Sequence, residues 1–206
     1  PVIIFYQFCT ALTYFLIAVI ALKFATVQGN ATLLWPSSGF ALAVLIKFGA
    51  RYAIGVFLGA IVAGLYVDGN PSIMVVGSSI GNTLEPLIAL YLLQQLSFSS
   101  NLYNASNFIS LIIVSGLSAV VSALFGASSL LIVGYIQTYD FLSASIHWWM
   151  ADTLGLLLLT PFLLLFNFSN FLKLIQAHYI ESSLLIATTL FSACIVLTDW
   201  QIYWLN

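Results

Sequence analysis

Apolar runs long enough to cross a bilayer follow one another along nearly the whole chain, and that succession leaves very few folds open. Hydrophobic residues fill 62% of the 206 positions and charged residues 5%, against roughly 25% charged in an ordinary soluble domain. A spanning helix needs about 20 predominantly apolar residues. The runs of this kind are Val2–Phe24, Pro36–Phe48, 52–67, 72–96, 107–134, 146–168 and 182–198. They predict an all-α fold, a polytopic transmembrane helix bundle with about seven spans. The connections are too short to hold a separate soluble domain, so 1–206 reads as a single membrane domain.

The 107–134 run could be one tilted helix or two short ones broken near Gly126. Taken as one span, it places Lys47, Arg51 and Lys173 on the same side, which the positive-inside rule assigns to the cytoplasm. Lys23 dissents, but a lone lysine at a helix end can snorkel to the nearer interface. The amino terminus is then inside and Asn206 outside. The chain opens at Pro1, and its first run is too long for a cleaved signal sequence and lacks the basic flank. The expectation is an excised portion of a longer protein, with a last crossing still to come before any cytoplasmic output domain.

The net charge of -2 creates no patch that would attract nucleic acid or anionic lipid. Cys9 and Cys194 lie inside apolar runs without pairing or metal-ligand spacing. His147 sits beside two interfacial tryptophans and His178 in a cytoplasmic loop, where ordinary headgroup and loop histidines are found. There is no Gly-rich phosphate loop, no metal-ligand cluster and no nucleophile with an attendant base. The expectation is no metal, no cofactor and no catalytic function within this chain.

Polar residues inside the apolar runs are therefore the places to look for function. An ionisable side chain at bilayer depth costs at least ~2.5 kcal/mol and usually faces the bundle interior. Glu85 stands near the middle of its run, and Ser78, Asn82 and Glu85 share one helix face at i, i+4, i+7. The carboxyl is open to three readings: a proton-titrating group, a ligand contact, or an interhelical hydrogen-bond donor that only fixes packing. Pro86 follows directly and can kink the helix.

Trp35-Pro36-Ser37-Ser38-Gly39 precedes a run too short for a full crossing, so this helix starts below the membrane surface. Its free amino end could receive an anion or a polar ligand group, or Ser37 and Ser38 could simply cap it while Trp35 anchors the interface. In the sixth run, His147-Trp148-Trp149-Met150-Ala151-Asp152 leads on to Pro161. This places Asp152 about two turns in, in the outer third of the membrane and level with Trp35 and Ser38. The candidate ligand-binding or signalling residues are thus Trp35, Pro36, Ser38, Asn82, Glu85, Trp149 and Asp152, lining an outward-facing cavity with Asn82 and Glu85 deeper. Pro86 and Pro161 are candidate helix pivots. Small residues four apart, Gly55 with Gly59 and Gly77 with Gly81, and Gly116 with Ser122 and Gly126 nearby, suit close helix packing.

The ordered set Trp35-Pro36-Ser37-Ser38-Gly39, Gly81-Asn82-Thr83-Leu84-Glu85 followed by Leu92-Leu93, then Trp149, Asp152, Gly155 and Pro161 resembles the type 1 membrane-associated sensor domain of bacterial signalling proteins. The resemblance covers essentially the whole chain except the family's carboxy-terminal end. It implies an inner-membrane input module of about eight spans, fused through cytoplasmic connectors to diguanylate cyclase, phosphodiesterase or histidine kinase domains, as in cyclic di-GMP and two-component signalling. The partners expected are an unidentified small-molecule ligand, the lipid bilayer, an output domain in the same polypeptide, and a second copy in a homodimer. Two rival classes remain open: a transporter or substrate-capturing subunit, which would show inverted repeats, and a membrane scaffold in which the polar stripe only fixes helix register.

Overall fold

The computed structural model describes residues 2–24, 26–27, 31–99, 102, 104–167, 176–184 and 187–188. Six long helices account for most of these: α1 (Val2–Phe24), α2 (Pro36–Phe48), α3 (Ala53–Asp68), α4 (Ile73–Gln95), α5 (Ala105–Val133) and α6 (Phe141–Leu165). Five of the helical segments are long and apolar enough to cross a membrane, and α2, at 13 residues, is the short one. Its length of about 20 Å falls short of a hydrocarbon core of ~30 Å. Between α1 and α2 the chain forms a small antiparallel pair, β1 (Thr26–Val27) and β2 (Ala31–Thr32), in which Thr26 pairs with Thr32. The sequence reading did not anticipate this pair.

The polytopic helical bundle is as expected, and the 107–134 run is one unbroken helix. One boundary differs in a way that matters. The last helix of the bundle begins at Phe141, not at residue 146. A 3-10 turn at Thr138–Asp140 starts it, closed by a reciprocal pair of hydrogen bonds between Gln137 and Asp140. Asp152 therefore lies about three turns inside the helix, at the level of Ser38 and Glu85. The seventh run, 182–198, lies mostly outside the described residues, as does Lys173. Residues Phe166–Asn206 form a unit separate from Pro1–Leu165. Within it His178 Nδ1 lies 3.0 Å from Glu181 Oε2.

Helix ends carry local signals. Ser72 caps α4 by accepting from Val75 N at 3.3 Å, and Asn104 caps α5 by accepting from Ser106 N at 3.1 Å. Gly69 and Gly134 end α3 and α5 in the left-handed conformation that glycine adopts freely. Gln7 on α1 accepts from Gly55 N at 2.6 Å and donates to Arg51 O at 2.6 Å, which pins α1 to the start of α3. Along the same contact, a Cβ on Gly59 would meet Ala11 O at 2.7 Å, and between α4 and α5 a Cβ on Gly81 would meet the Phe125 side chain at 2.7 Å. Lipid offers no hydrophobic drive between helices, so association depends on this close backbone approach.

Toward the end of the bundle that carries Lys47 and Arg51, leucines dominate the core. Leu42 and Leu45 of α2, Leu90 and Leu93 of α4, Leu111 of α5 and Leu156 of α6 are buried there together. Glu85 on α4 and Asp152 on α6 stand at a level where the buried side chains become polar.

Candidate functional site

The start of α2 is held inside the bundle. Trp35 N donates to Ala151 O at 3.0 Å, and Thr160 Oγ1 donates to Gly39 O at 3.1 Å, so α6 grips the first turn of α2 from both sides. The contact leaves no room for a side chain on either helix. A Cβ on Gly39 would overlap the carbonyl of Gly155, and one on Gly155 would overlap the carbonyl of Trp35. Pro36 fits the first helical position because it has no N–H to leave unpaired.

This grip carries Ser38 between two acids. Ser38 Oγ lies 2.8 Å from Glu85 Oε2 and 3.1 Å from Asp152 Oδ1, so one hydroxyl joins α2, α4 and α6. Ser38 and Glu85 are 0% exposed and Asp152 1%, so the bridge is closed to the surface. Glu85 Oε1 and Asp152 Oδ2 are buried with no hydrogen-bond partner.

A hydroxyl has one hydrogen to donate. If Ser38 gives it to Glu85, the contact with Asp152 is a hydrogen bond only when Asp152 donates, and the reverse arrangement needs a proton on Glu85. Magnitudes point the same way. Interhelical hydrogen bonds in membranes average about 0.6 kcal/mol and reach ~1.7, against at least ~2.5 kcal/mol for each charged acid at depth. The amino end of α2 adds the equivalent of about half a positive charge. Together these do not offset two bare carboxylates.

Further polar side chains surround the bridge. Ser122 Oγ donates to Asn82 Oδ1 at 2.8 Å and accepts from Trp148 Nε1 at 3.2 Å, so α4, α5 and α6 are linked. Ser122 and Trp148 also stand beside the Asp152 carboxyl. Tyr14 of α1 is fully buried, and its hydroxyl accepts from Trp35 Nε1 at 3.4 Å and lies near Glu85, Asp152 and Asn82. Ser37 Oγ donates to Tyr14 O at 3.3 Å.

Of the residues singled out in the sequence, the fold gathers Trp35, Pro36, Ser38, Asn82, Glu85 and Asp152 around one point. Trp149 stands apart. It is 36% exposed, and its indole donates to Gly116 O at 2.7 Å on the outer flank of α5. The neighbouring Trp148 is the tryptophan that turns inward, because it lies one turn before Asp152. Ser78, grouped with Asn82 and Glu85 on one face, donates back to Met74 O at 2.7 Å and does not reach the cluster. Ser37 and Ser38 do not cap their own helix; both reach across to other helices. The expected outward-facing cavity is a packed, closed cluster in this structure. Pro86 and Pro161 lie inside continuous helices.

Tyr14, Ser122 and Trp148 were not expected here. Tyr and Trp are common in membrane helices, and Ser122 stood out only as a small packing residue. A separate open crevice of about 180 Å³, lined by Ile46, Leu90, Leu93, Gln94 and Phe98, shares no residue with the cluster.

A family model, that of membrane-associated sensor domain 1 (MASE1), matches residues 7–203. No curated protein and no solved structure matches the chain.

Proposed function

The chain belongs to the MASE1 family, membrane-associated sensory domains of signalling proteins without catalytic activity of their own, and from that premise we propose that the bridge of Glu85, Ser38 and Asp152 is the point where the stimulus acts. A small ligand engages the cluster and changes how α2, α4 and α6 pack, and the change passes to a cytoplasmic output domain in the same polypeptide. The domain sits in the bacterial inner membrane with the Lys47 and Arg51 turn on the cytoplasmic side. The output is of the diguanylate cyclase, phosphodiesterase or histidine kinase type.

The observation that carries this reading is the single serine hydroxyl shared by two fully buried acids from different helices. Such an arrangement is poor structural glue, since it leaves two carboxyl oxygens without partners. It suits a site whose energy depends on what else is bound. The physical requirement is differential affinity, because a ligand that binds both packings equally shifts nothing. Pro86 and Pro161 interrupt the backbone ladders of α4 and α6 and are the positions where these helices pivot.

The test is the output of the full-length receptor in cells carrying Glu85→Gln or Asp152→Asn. At normal protein level, both variants lose the response to stimulus. A response range equal to wild type in both would refute the reading.

A further inference from the structure

We propose that the bridge of Glu85, Ser38 and Asp152 is a binding site for a small monovalent cation, with the two carboxyl groups and the serine hydroxyl as its ligands. The inference rests on the functional reading above and gives the chemical class of the stimulus.

Four observations converge on it. First, Glu85 Oε1 and Asp152 Oδ2, carboxyl oxygens from two different helices, are buried without a hydrogen-bond partner, and a cation that takes the place of the shared proton can serve both. Second, no base among the described residues supplies that charge. Lys23 stands on the last turn of α1, Lys47 Nζ donates to Leu163 O at 2.5 Å, and the Arg51 guanidinium lies over the Tyr52 ring at 5.4 Å. Third, every ligand atom on offer is oxygen, the donor set preferred by hard cations.

The fourth observation is size. Ser38, Glu85 and Asp152 are closed off from the surface, and the contact of Gly39 with Gly155 seals one side. A cluster this closed excludes an organic molecule with a side chain of its own, which leaves a bare ion as the ligand small enough to enter. A divalent ion fits less well. Calcium takes about six to eight oxygen ligands and magnesium keeps several waters, more than the three side chains of the bridge provide. A monovalent ion supplies the missing positive charge and draws α2, α4 and α6 onto one point. Its departure is matched by uptake of a proton, since the pair does not hold two bare carboxylates.

The test is thermal unfolding of the detergent-purified chain at fixed pH and constant ionic strength. Choline chloride is the background, and sodium, potassium or ammonium chloride replaces it stepwise. One or more of the three ions raises the midpoint saturably, as expected for a ligand that binds only the folded state, and choline does not. The rise disappears in Glu85→Gln and in Asp152→Asn, while Leu93→Ala, a packing change elsewhere, keeps it on a lower midpoint. If a carboxyl variant fails to fold, Ser38→Ala serves in its place and weakens the apparent affinity roughly tenfold or more.

Identical behaviour in all four salts overturns the inference, as does an ion-specific rise that survives in both carboxyl variants. The receptor assay separates the two levels. If no ion acts but Glu85→Gln and Asp152→Asn still silence the receptor, the ligand class is wrong and the site stands. If both variants signal like wild type, the site itself falls.

Discussion

Helices α2, α4, α5 and α6 build two cores of opposite character within one bundle. Toward the Lys47 and Arg51 end they bury Leu42, Leu45, Leu90, Leu93, Leu111 and Leu156. About one or two turns away they bury Ser38, Asn82, Glu85, Ser122 and Asp152. In a bilayer the two layers do different work. A leucine gains little by leaving lipid for a protein interior, so the apolar layer holds by shape and tolerates small changes of volume. The polar layer cannot slide or rotate without stranding a carboxyl in hydrocarbon, and its energy changes by several kcal/mol with one unit of charge. A stimulus of modest affinity can therefore shift the polar layer, while the apolar layer stays as a fixed frame.

The strongest challenge to this contrast is Gly155→Leu. The new side chain would occupy the space of the Trp35 carbonyl, so α2 cannot seat on α6 and the polar layer does not form. The expected result is no monodisperse folded protein on size exclusion, which would collapse the distinction between the layers. Leu93→Ala addresses the apolar layer alone. It removes a fully packed side chain, a loss that costs about 2–5 kcal/mol in soluble cores. The unfolding midpoint falls, while the stimulus response of the full receptor keeps its wild-type range; a lost response would show that the apolar layer is no passive frame.

Ser38→Ala removes both bridging contacts while leaving both acids in place. At the average of about 0.6 kcal/mol per interhelical bond, the two contacts are worth roughly 1 kcal/mol, less than the loss at Leu93→Ala, yet their removal abolishes the response. The opposite ranking of these two variants on stability and on signalling is the sharpest form of the comparison.

The smallest effect belongs to Tyr135→Phe, outside both layers. Tyr135 donates to Asp68 Oδ1 at 2.6 Å on the exposed end of the bundle, and the nearby carboxylate holds its proton beyond the ordinary tyrosine range. Any stability gained is present below the unfolded tyrosine pKa and is lost as pH rises through the folded one. At so exposed a site, wild type and variant differ little in midpoint at neutral pH and converge in strong alkali.

Much of this was legible in the residues, for reasons that also mark where reading stops. Span length is set by bilayer thickness, so the apolar runs located the helices directly. Glu85, Asn82 and Asp152 stood out because polar groups at depth are costly. The early start of α6 escaped because Phe141-Leu142-Ser143-Ala144-Ser145 is only half apolar, although Gln137 and Asp140 carry the three-residue spacing of a helix start. That difference of five residues is why Asp152 stands about three turns into its helix and not two. Tyr14, Ser122 and Trp148 carry no signal of their own. They join the cluster through the rotation of one helix against another, which periodicity along a single helix does not encode.

The most direct test of the central claim is the distance between spin labels at Phe48→Cys on α2 and Leu165→Cys on α6, introduced with Cys9 and Cys194 replaced by serine. Both label positions are exposed, at the Lys47 and Arg51 end. The distance distribution is recorded by double electron–electron resonance for the labelled parent, for Glu85→Gln and for Leu93→Ala. If the polar layer governs how α2 and α6 pack, the distribution moves in Glu85→Gln and stays with the parent in Leu93→Ala. Superimposable distributions in the parent and Glu85→Gln would contradict the account, leaving the buried acids as fixed packing elements.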